Sequence, residues 1–219
     1  MNCELISVGT ELLTGDTLNT NVMFLSKELS INGFSVLYHT VVGDNPVRLK
    51  ETVALALSRS DLIITTGGLG PTQDDLTKET IADMFGMEME LKQEIVDELK
   101  VFFERRGFEM TENNLRQAYV PKGAKMLKNP RGTAPGIMIE KEGKIVILLP
   151  GPPHEMMGMY NDVVEPILHK LKKQMVVSRY YMLSDIGESS VEDAILDLID
   201  HQDNPTVATY AKVGEVMIR

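Results

Sequence analysis

The sequence holds little of what disulfide-bonded, membrane-spanning or secreted proteins need. Among 219 residues there is a single cysteine, Cys3, which excludes an internal disulfide and a zinc site built from several cysteines. No apolar run approaches the roughly 18 residues that a membrane span requires. The first residues, Met1-Asn2-Cys3-Glu4, lack the positive charge that opens a signal peptide. We therefore expect a cytoplasmic protein that makes no contact with a membrane.

Positive charge is also scarce. Lys and Arg number 22 against 32 Asp and Glu, a net charge of −10, which argues against a protein that grips a nucleic-acid backbone. A small phosphorylated ligand remains possible if backbone N–H groups, a few local cations or a divalent metal offset the repulsion. Hydrophobic residues make up 43% and charged residues 25%, which is typical of a globular chain with a substantial core.

Strand and helix patterns alternate along the first 85 residues. Asn45 followed by Pro46 is typical of a helix start, and Gly33 of a helix end. Such alternation indicates right-handed βαβ units and a mainly parallel sheet covered on both faces, a three-layer α/β fold. The predicted strands are Glu4–Val8, Phe34–Val42 and Asp61–Thr66, and one predicted helix carries Leu18, Val22, Leu25 and Leu29.

The second half predicts further elements and a domain boundary. Composition changes near Lys170–Lys173, so we predict domains at 1–172 and 173–219, the second a small α+β segment of a longer chain. Before the boundary we predict a helix through Leu91, Ile95, Leu99 and Phe102, strands at Ile137–Ile139 and Lys144–Leu149, and a helix through Met156, Tyr160, Val163 and Ile167 that kinks or ends at Pro166. Beyond the boundary we predict strand Val176–Met182, helix Glu188–Ile199 and strand Thr206–Ile218.

Unusual sequence is concentrated in loops that follow the predicted parallel strands, where such sheets bind their ligands. The richest loop runs from Gly67 to Asp75. Its glycines let the backbone approach a phosphate, and Asp74 and Asp75 are adjacent carboxylates of the kind that suits Mg²⁺. The alternative is that either aspartate only caps the next helix. The other loops are Gly9–Glu11 with Gly15-Asp16, Gly43–Asn45 and Pro150–Glu155, and Asn129–Gly136 could fold over the same edge; plain turns are the alternative for the last two.

Taken together, these segments resemble the N-terminal region of the CinA, or competence/damage-inducible, protein family. The resemblance covers essentially the whole chain. Residues from about 4 to 170 are similar to the molybdenum-cofactor-biosynthesis fold of MoaB and MogA, and the segment from about 176 onward to a truncated KH-like domain. The segments that carry it are Gly9–Gly15, Asn19–Asn21, Val41–Asn45, Thr65–Asp75, Met110–Asn114, Asn129–Gly136 and Leu149–Glu155.

The resemblance implies an enzyme, a metal-dependent hydrolase of nucleoside diphosphate sugars that releases AMP and ribose 5-phosphate from ADP-ribose. The family's C-terminal domain for nicotinamide mononucleotide deamidation has no counterpart here. Gly187-Glu188-Ser189-Ser190 lacks the Gly-x-x-Gly clamp, so RNA binding is not expected. A homodimer is expected. Two alternatives stay open: binding of molybdopterin or its adenylylated form, and a non-catalytic nucleotide-binding module that regulates a partner domain.

The predicted site follows from this hypothesis. A divalent ion (Mg²⁺, Mn²⁺ or Co²⁺) would be held by Asp44, Asp74 and Asp75, and Asp74, Asp75 and Glu155 are the predicted catalytic acids. No two histidines lie at ligand spacing, so a histidine metal site is not expected. The predicted substrate-binding residues are Thr10, Gly67, Gly68, Gly70, Thr72, Thr77, Asn113, Asn114, Arg131, Gly132, Gly151 and Pro152.

Overall fold

The chain folds as two units, Met1–Met175 and Val176–Arg219. The structure is a computed structural model, and it describes residues 1–171 and 177–219. Within those residues, no helix is both long enough and apolar enough to cross a bilayer.

A six-stranded sheet organises the first unit. Its strand order is β2-β1-β3-β8-β7-β6. The first four of these strands are mutually parallel, whereas β7 and β6 run antiparallel to their neighbours. The strands of the first unit are β1 (Asn2–Val8), β2 (Ser35–Val42), β3 (Leu62–Thr66), β4 (Met89–Leu91), β5 (Tyr119–Pro121), β6 (Lys125–Leu127), β7 (Gly136–Lys141) and β8 (Lys144–Leu149).

Helices cover both faces of this sheet. They are α1 (Thr10–Thr14), α2 (Thr20–Ile31), α3 (Pro46–Arg59), α4 (Thr77–Met84), α5 (Gln93–Glu104), a 3-10 helix (Glu112–Ala118), α6 (Pro153–Met159), a π-helical segment (Tyr160–Val164) and α7 (Glu165–Leu171). Alternate residues of each central strand enter opposite cores, since strand side chains alternate in direction. Leu5, Ile64 and Ile147 pack with α2 and α6, whereas Ile6, Ile63 and Val146 pack with α3 and α4. This confirms the three-layer, mainly parallel α/β fold.

The parallel strands end level with one another. Thr66 on β3 is in register with Ser7 on β1 and with Leu149 on β8. The loops that leave β1, β3 and β8 therefore emerge side by side at one edge of the sheet. This register is what brings residues from distant parts of the sequence into one site.

Several predicted helix positions were wrong. Leu18 is 84% exposed and precedes α2. The helix is capped by Asn19, whose side chain accepts a hydrogen bond from the Val22 N–H. Leu91 lies in β4 rather than in α5. Neither Asp74 nor Asp75 caps α4, because that helix begins at Thr77.

The helix that follows β8 also differs from its prediction. Its fully buried residues are Met156, Met159, Tyr160, Val164 and Leu168, whereas Val163 and Ile167 are only partly buried. The π-helical segment inserts residues into the helical turn there, which shifts the buried face by one position. Pro166 comes just after the π-helical segment, and the helical run continues past it to Leu171, so the helix does not end there.

The second unit is a three-stranded antiparallel sheet with two short helices. Its elements are β9 (Tyr181–Ser184), α8 (Glu188–Ala194), α9 (Leu196–Asp200), β10 (Thr209–Lys212) and β11 (Glu215–Ile218), with strand order β10-β11-β9. The predicted final strand is a hairpin that turns at Gly214, where φ is +79°, and the predicted single helix breaks at Ile195. The predicted strand Val176–Met182 begins outside the described residues.

Candidate functional site

A cleft of about 540 Å³ opens at the edge where the parallel strands end. The loops after β1, β2, β3 and β8 line it, together with one residue from the 3-10 helix and two from the segment before β7. The lining residues are Val8, Gly9, Glu11, Thr17, Asp44, Gly67, Gly68, Leu69, Gly70, Pro71, Asp74, Asp75, Gln117, Thr133, Ala134, Pro150, Gly151, Pro152, Pro153 and Glu155.

The glycine turn after β3 forms the cleft wall with bare backbone. Gly67 and Gly68 have φ of +100° and +68°, a region that L side chains rarely adopt. A Cβ at Gly68 would overlap Thr77 Oγ1, and the Thr77 N–H donates to the Gly68 carbonyl at 3.1 Å. Thr77 is 1% exposed. It therefore supports the turn from behind and does not line the cleft, although we predicted it to bind substrate.

The two aspartates of this loop occupy different environments. Asp75 accepts hydrogen bonds from the Thr72 N–H at 2.9 Å and from the Thr72 hydroxyl, so Thr72 holds Asp75 rather than lining the cleft itself. Asp74 is exposed, and the adjacent Thr72 side chain, its own backbone amide and the charge of Arg116 lower the pKa of its carboxyl. Asp74 is thus ionised at neutral pH and faces the cleft mouth.

Arg116 fastens the loop Gly67–Asp75, which we call the acidic loop, to the 3-10 helix. Its guanidinium donates to the Thr72 carbonyl at 2.5 Å and to the Asp75 carbonyl at 3.4 Å. The buried Lys78 ammonium in turn donates to the Arg116 carbonyl. The bonds from Arg116 thus tie the acidic loop to the 3-10 helix at two carbonyls.

Asp44 joins the first two loops. Its Oδ2 accepts from the Thr10 N–H and from the Thr10 hydroxyl, both at 2.8 Å. The carboxylate thus satisfies the start of α1, and Asp44 lines the cleft while Thr10 does not.

Glu155 links the turn after β8 to the segment before β7. Its Oε2 accepts from Asn129 Nδ2 at 2.7 Å, and the same amide donates to the Ala134 carbonyl at 2.9 Å. A Cβ at Gly132 would overlap the Glu155 carboxylate, so glycine is needed there for close packing. This latch holds Thr133 and Ala134 in the cleft. Gly132 itself faces a second cavity of about 720 Å³ beside α5, which shares Thr133 with the cleft.

Three predicted ligand contacts lie away from the cleft lining. Asn113 is exposed, and Asn114 accepts from Thr111 N–H and hydroxyl at 3.0 and 2.9 Å, which caps the 3-10 helix. Arg131 extends along α6 over Gly158 towards Asp162, at 3.5 Å. The structure does bring together the predicted Asp44, Gly67, Gly68, Gly70, Asp74, Asp75, Gly151, Pro152 and Glu155.

Gln117 is a cleft residue that sequence reasoning missed, and its partner Thr133 was named only as part of the segment Asn129–Gly136. Gln117 is 2% exposed and donates from Nε2 to Thr133 Oγ1 at 3.0 Å. A signal for it existed, because residues three apart share a face in a 3-10 helix. The buried Asn114 therefore pointed to Gln117, not to its neighbour Asn113.

The carboxylates of the cleft could hold a divalent cation only together with oxygens from a bound ligand. No group of three or more His, Cys, Asp or Glu side chains in residues 1–171 and 177–219 is close enough to hold a metal. The predicted set Asp44, Asp74 and Asp75 therefore forms no ready-made cage. Mg²⁺, however, commonly keeps several waters and takes one or two carboxylates plus substrate phosphates. The residues present fit such a shared ion.

Comparison with protein families places both units. Residues 4–170 match the family described as "Probable molybdopterin binding domain", and residues 178–219 match the "Damage-inducible protein CinA KH domain". A "CinA-like protein" of Dictyoglomus turgidum is 52% identical over 219 residues, which are 100% of this chain and 53% of that protein. The chain thus spans about half the length of the curated relatives it matches.

Solved structures agree with this assignment. The protein CinA of Thermoplasma acidophilum, described as of unknown function, aligns at a TM-score of 0.69 and 35% identity over 76% of this chain and 97% of that one. The molybdopterin biosynthesis enzyme MoaB of Thermus thermophilus aligns at 0.51 and 18% identity over 80% and 98% of the two chains, which shows a shared fold alone. The chain belongs to the CinA family, with a molybdopterin-binding-type α/β unit followed by a CinA KH unit.

Proposed function

We propose that the cleft binds a phosphorylated pterin of the molybdopterin class, free or adenylylated, with its phosphate against the backbone of Gly67–Gly70. The observation that supports phosphate binding is the glycine turn itself. It presents main chain without side chains to the cleft at the carboxyl edge of a parallel sheet, where such folds bind phosphates. The family assignment of residues 4–170 supports the pterin class.

Gly151 offers a clean test of occupancy. It lines the cleft opposite Gly67, and a Cβ there would meet only the Gly67 Cα, at an ordinary 3.5 Å. Gly151→Leu should therefore fold normally and fill the ligand space. We expect at least about tenfold weaker binding of molybdopterin in calorimetry, a loss of about 1.4 kcal/mol.

Gly187→Leu is the matched control, because a Cβ at Gly187 has open space around it and the residue lies in the second unit. It should leave affinity unchanged. Unaltered affinity in a folded Gly151→Leu variant would mean that the ligand does not bind in this cleft.

A second candidate is metal-dependent hydrolysis of ADP-ribose, and the acidic lining favours it. Asp44, Asp74, Asp75 and Glu155 share the cleft, and a nucleotide diphosphate bound there needs a cation to offset their charge. The divalent ion would neutralise the diphosphate oxygens. Water attacks one phosphorus, the bridging P–O bond breaks, and AMP and ribose 5-phosphate leave with the water's second proton released to a carboxylate.

Asp74 is an exposed carboxylate of the cleft and our candidate for that role, since Asp75 is tied to Thr72 and Glu155 to Asn129 by hydrogen bonds. Asp74→Asn should lower Mg²⁺-dependent AMP release from ADP-ribose by about 100-fold or more while ADP-ribose still binds. Asp83→Asn, an exposed aspartate of α4 paired with Lys50, is the control. Pterin binding with no AMP release from the wild-type chain would leave the first proposal standing and end this one.

A further inference from the structure

Gln117 leaves a polar atom uncommitted in the cleft wall. Its Nε2 donates to Thr133 Oγ1 at 3.0 Å, while its Oε1 is fully buried and has no partner within the described residues. The residue is 2% exposed and lines the cleft. A buried acceptor of this kind costs stability unless something donates to it.

The position of Gln117 is firmly held from both sides. Its neighbour Arg116 is bonded to the acidic loop through the Thr72 and Asp75 carbonyls. Its partner Thr133 lies in the segment that Asn129 and Glu155 latch to α6. Gln117 therefore bridges the two walls of the cleft with little freedom to turn away.

The atom of this pair that lacks a partner is an acceptor, which an ionised phosphate does not satisfy. Ionised phosphate oxygens carry no proton for Gln117 Oε1 to accept, and one of the two N–H groups of Nε2 already donates to Thr133 Oγ1. Thr133, which accepts from Gln117, keeps its own hydroxyl proton to donate. The pair therefore presents an acceptor and a donor side by side. The complementary edge is an amino group next to a ring nitrogen, which both pterin and adenine carry.

We propose that Gln117 and Thr133 recognise the amino-bearing heterocycle of the ligand, with the amino group donating to Gln117 Oε1 and Thr133 donating to the ring nitrogen. This rests on the proposed function, namely that the cleft holds a phosphorylated heterocycle. It assigns the two ends of the cleft different tasks: backbone at Gly67–Gly70 for phosphate, and this pair for the base.

The test compares ligand pairs in which an oxo group replaces the amino group, which also turns the adjacent ring nitrogen from an acceptor into an N–H donor. One pair is 6-hydroxymethylpterin phosphate and the lumazine analogue; the other is ADP-ribose and inosine diphosphate ribose, and the two pairs distinguish pterin from adenine as the source of the edge. Calorimetry on the wild-type chain should show at least about a tenfold preference for the amino form in one pair. Gln117→Met should reduce that preference to within about threefold, and the oxo form should keep its affinity.

A merely structural role for Gln117 predicts that both members of a pair weaken equally, which would overturn the proposal. Thr133→Val, which keeps the shape and removes the hydroxyl, should lose the same preference and tests the pair even where Gln117→Met folds poorly. Gln93→Met, at an exposed residue of α5, is the control for replacing a glutamine by methionine, and it should leave the preference unchanged. Wild-type binding with no amino preference overturns this inference alone, whereas failure of all four ligands to bind overturns the proposed function with it.

Discussion

At the scale of single residues, Gly68 shows how one backbone position shapes the cleft. It has φ of +68°, and a Cβ there would overlap Thr77 Oγ1. Gly86 has a similar φ of +63°, but a Cβ there would meet no atom within 4 Å. A substitution at Gly86 therefore measures backbone strain without crowding. Gly86→Ala should cost about 1–2 kcal/mol of unfolding free energy, and Gly68→Ala about 1–3 kcal/mol more. Urea unfolding measures both, and adding Thr77→Ala should restore part of the difference. Equal losses for the two glycines would contradict the crowding.

At the scale of elements, the start of α4 contains a buried lysine. Burial lowers the pKa of the Lys78 ammonium from 10.5 to about 8, although Glu79 and Asp75 partly oppose this shift. Because the folded pKa lies below the unfolded value, the unfolded chain holds more protons between pH 8 and 10.5, and stability rises with pH through that window. The gain approaches about 3 kcal/mol.

Lys78→Met removes this contribution. We expect the wild type to gain stability relative to the variant as pH rises from 8 to 10.5, as followed by chemical unfolding at each pH. Lys50→Met, an exposed lysine of α3, should show a much smaller change. A pH-independent difference between wild type and Lys78→Met would mean that Lys78 is charged in the folded protein throughout this range.

At the scale of the whole molecule, the second unit leaves much apolar surface uncovered. Tyr181 and Tyr210 on its sheet are 58% and 44% exposed, and Leu198 on α9 is 55% exposed. The last strand of the chain, β11, is the central strand of this sheet and pairs with β10 and β9. Exposed apolar surface of this kind favours association with a second copy.

We therefore predict a homodimer, with a mass by light scattering of twice the 24.4 kDa of the chain. Leu198→Lys should weaken it, and Leu55→Lys, at an equally exposed leucine of α3, should not. A monomer at micromolar concentration would contradict the prediction.

Much of the fold and part of the site could be predicted from local patterns. Apolar strands followed by capped helices indicated the parallel sheet, and Asn45-Pro46 marked the start of α3. The glycine turn and its aspartates were found because their residue types are unusual. Asn113 and Arg131 were placed in the site from motif membership, which does not tell on which side of a turn a residue lies. Gln117 was missed because its role depends on Thr133, 16 residues away.

The sequence by itself determined most of the elements and the edge of the sheet at which the cleft opens, because hydrophobic periodicity and turn chemistry are local properties. Tertiary structure alone decided which side chains face the cleft. Asp75 and Glu155 are held by Thr72 and Asn129, Thr77 lies behind Gly68, and Gln117 is turned towards Thr133. The contacts that join different segments of the chain depend on the register that sets β1, β3 and β8 level, and register arises from packing of the whole sheet rather than from any one segment.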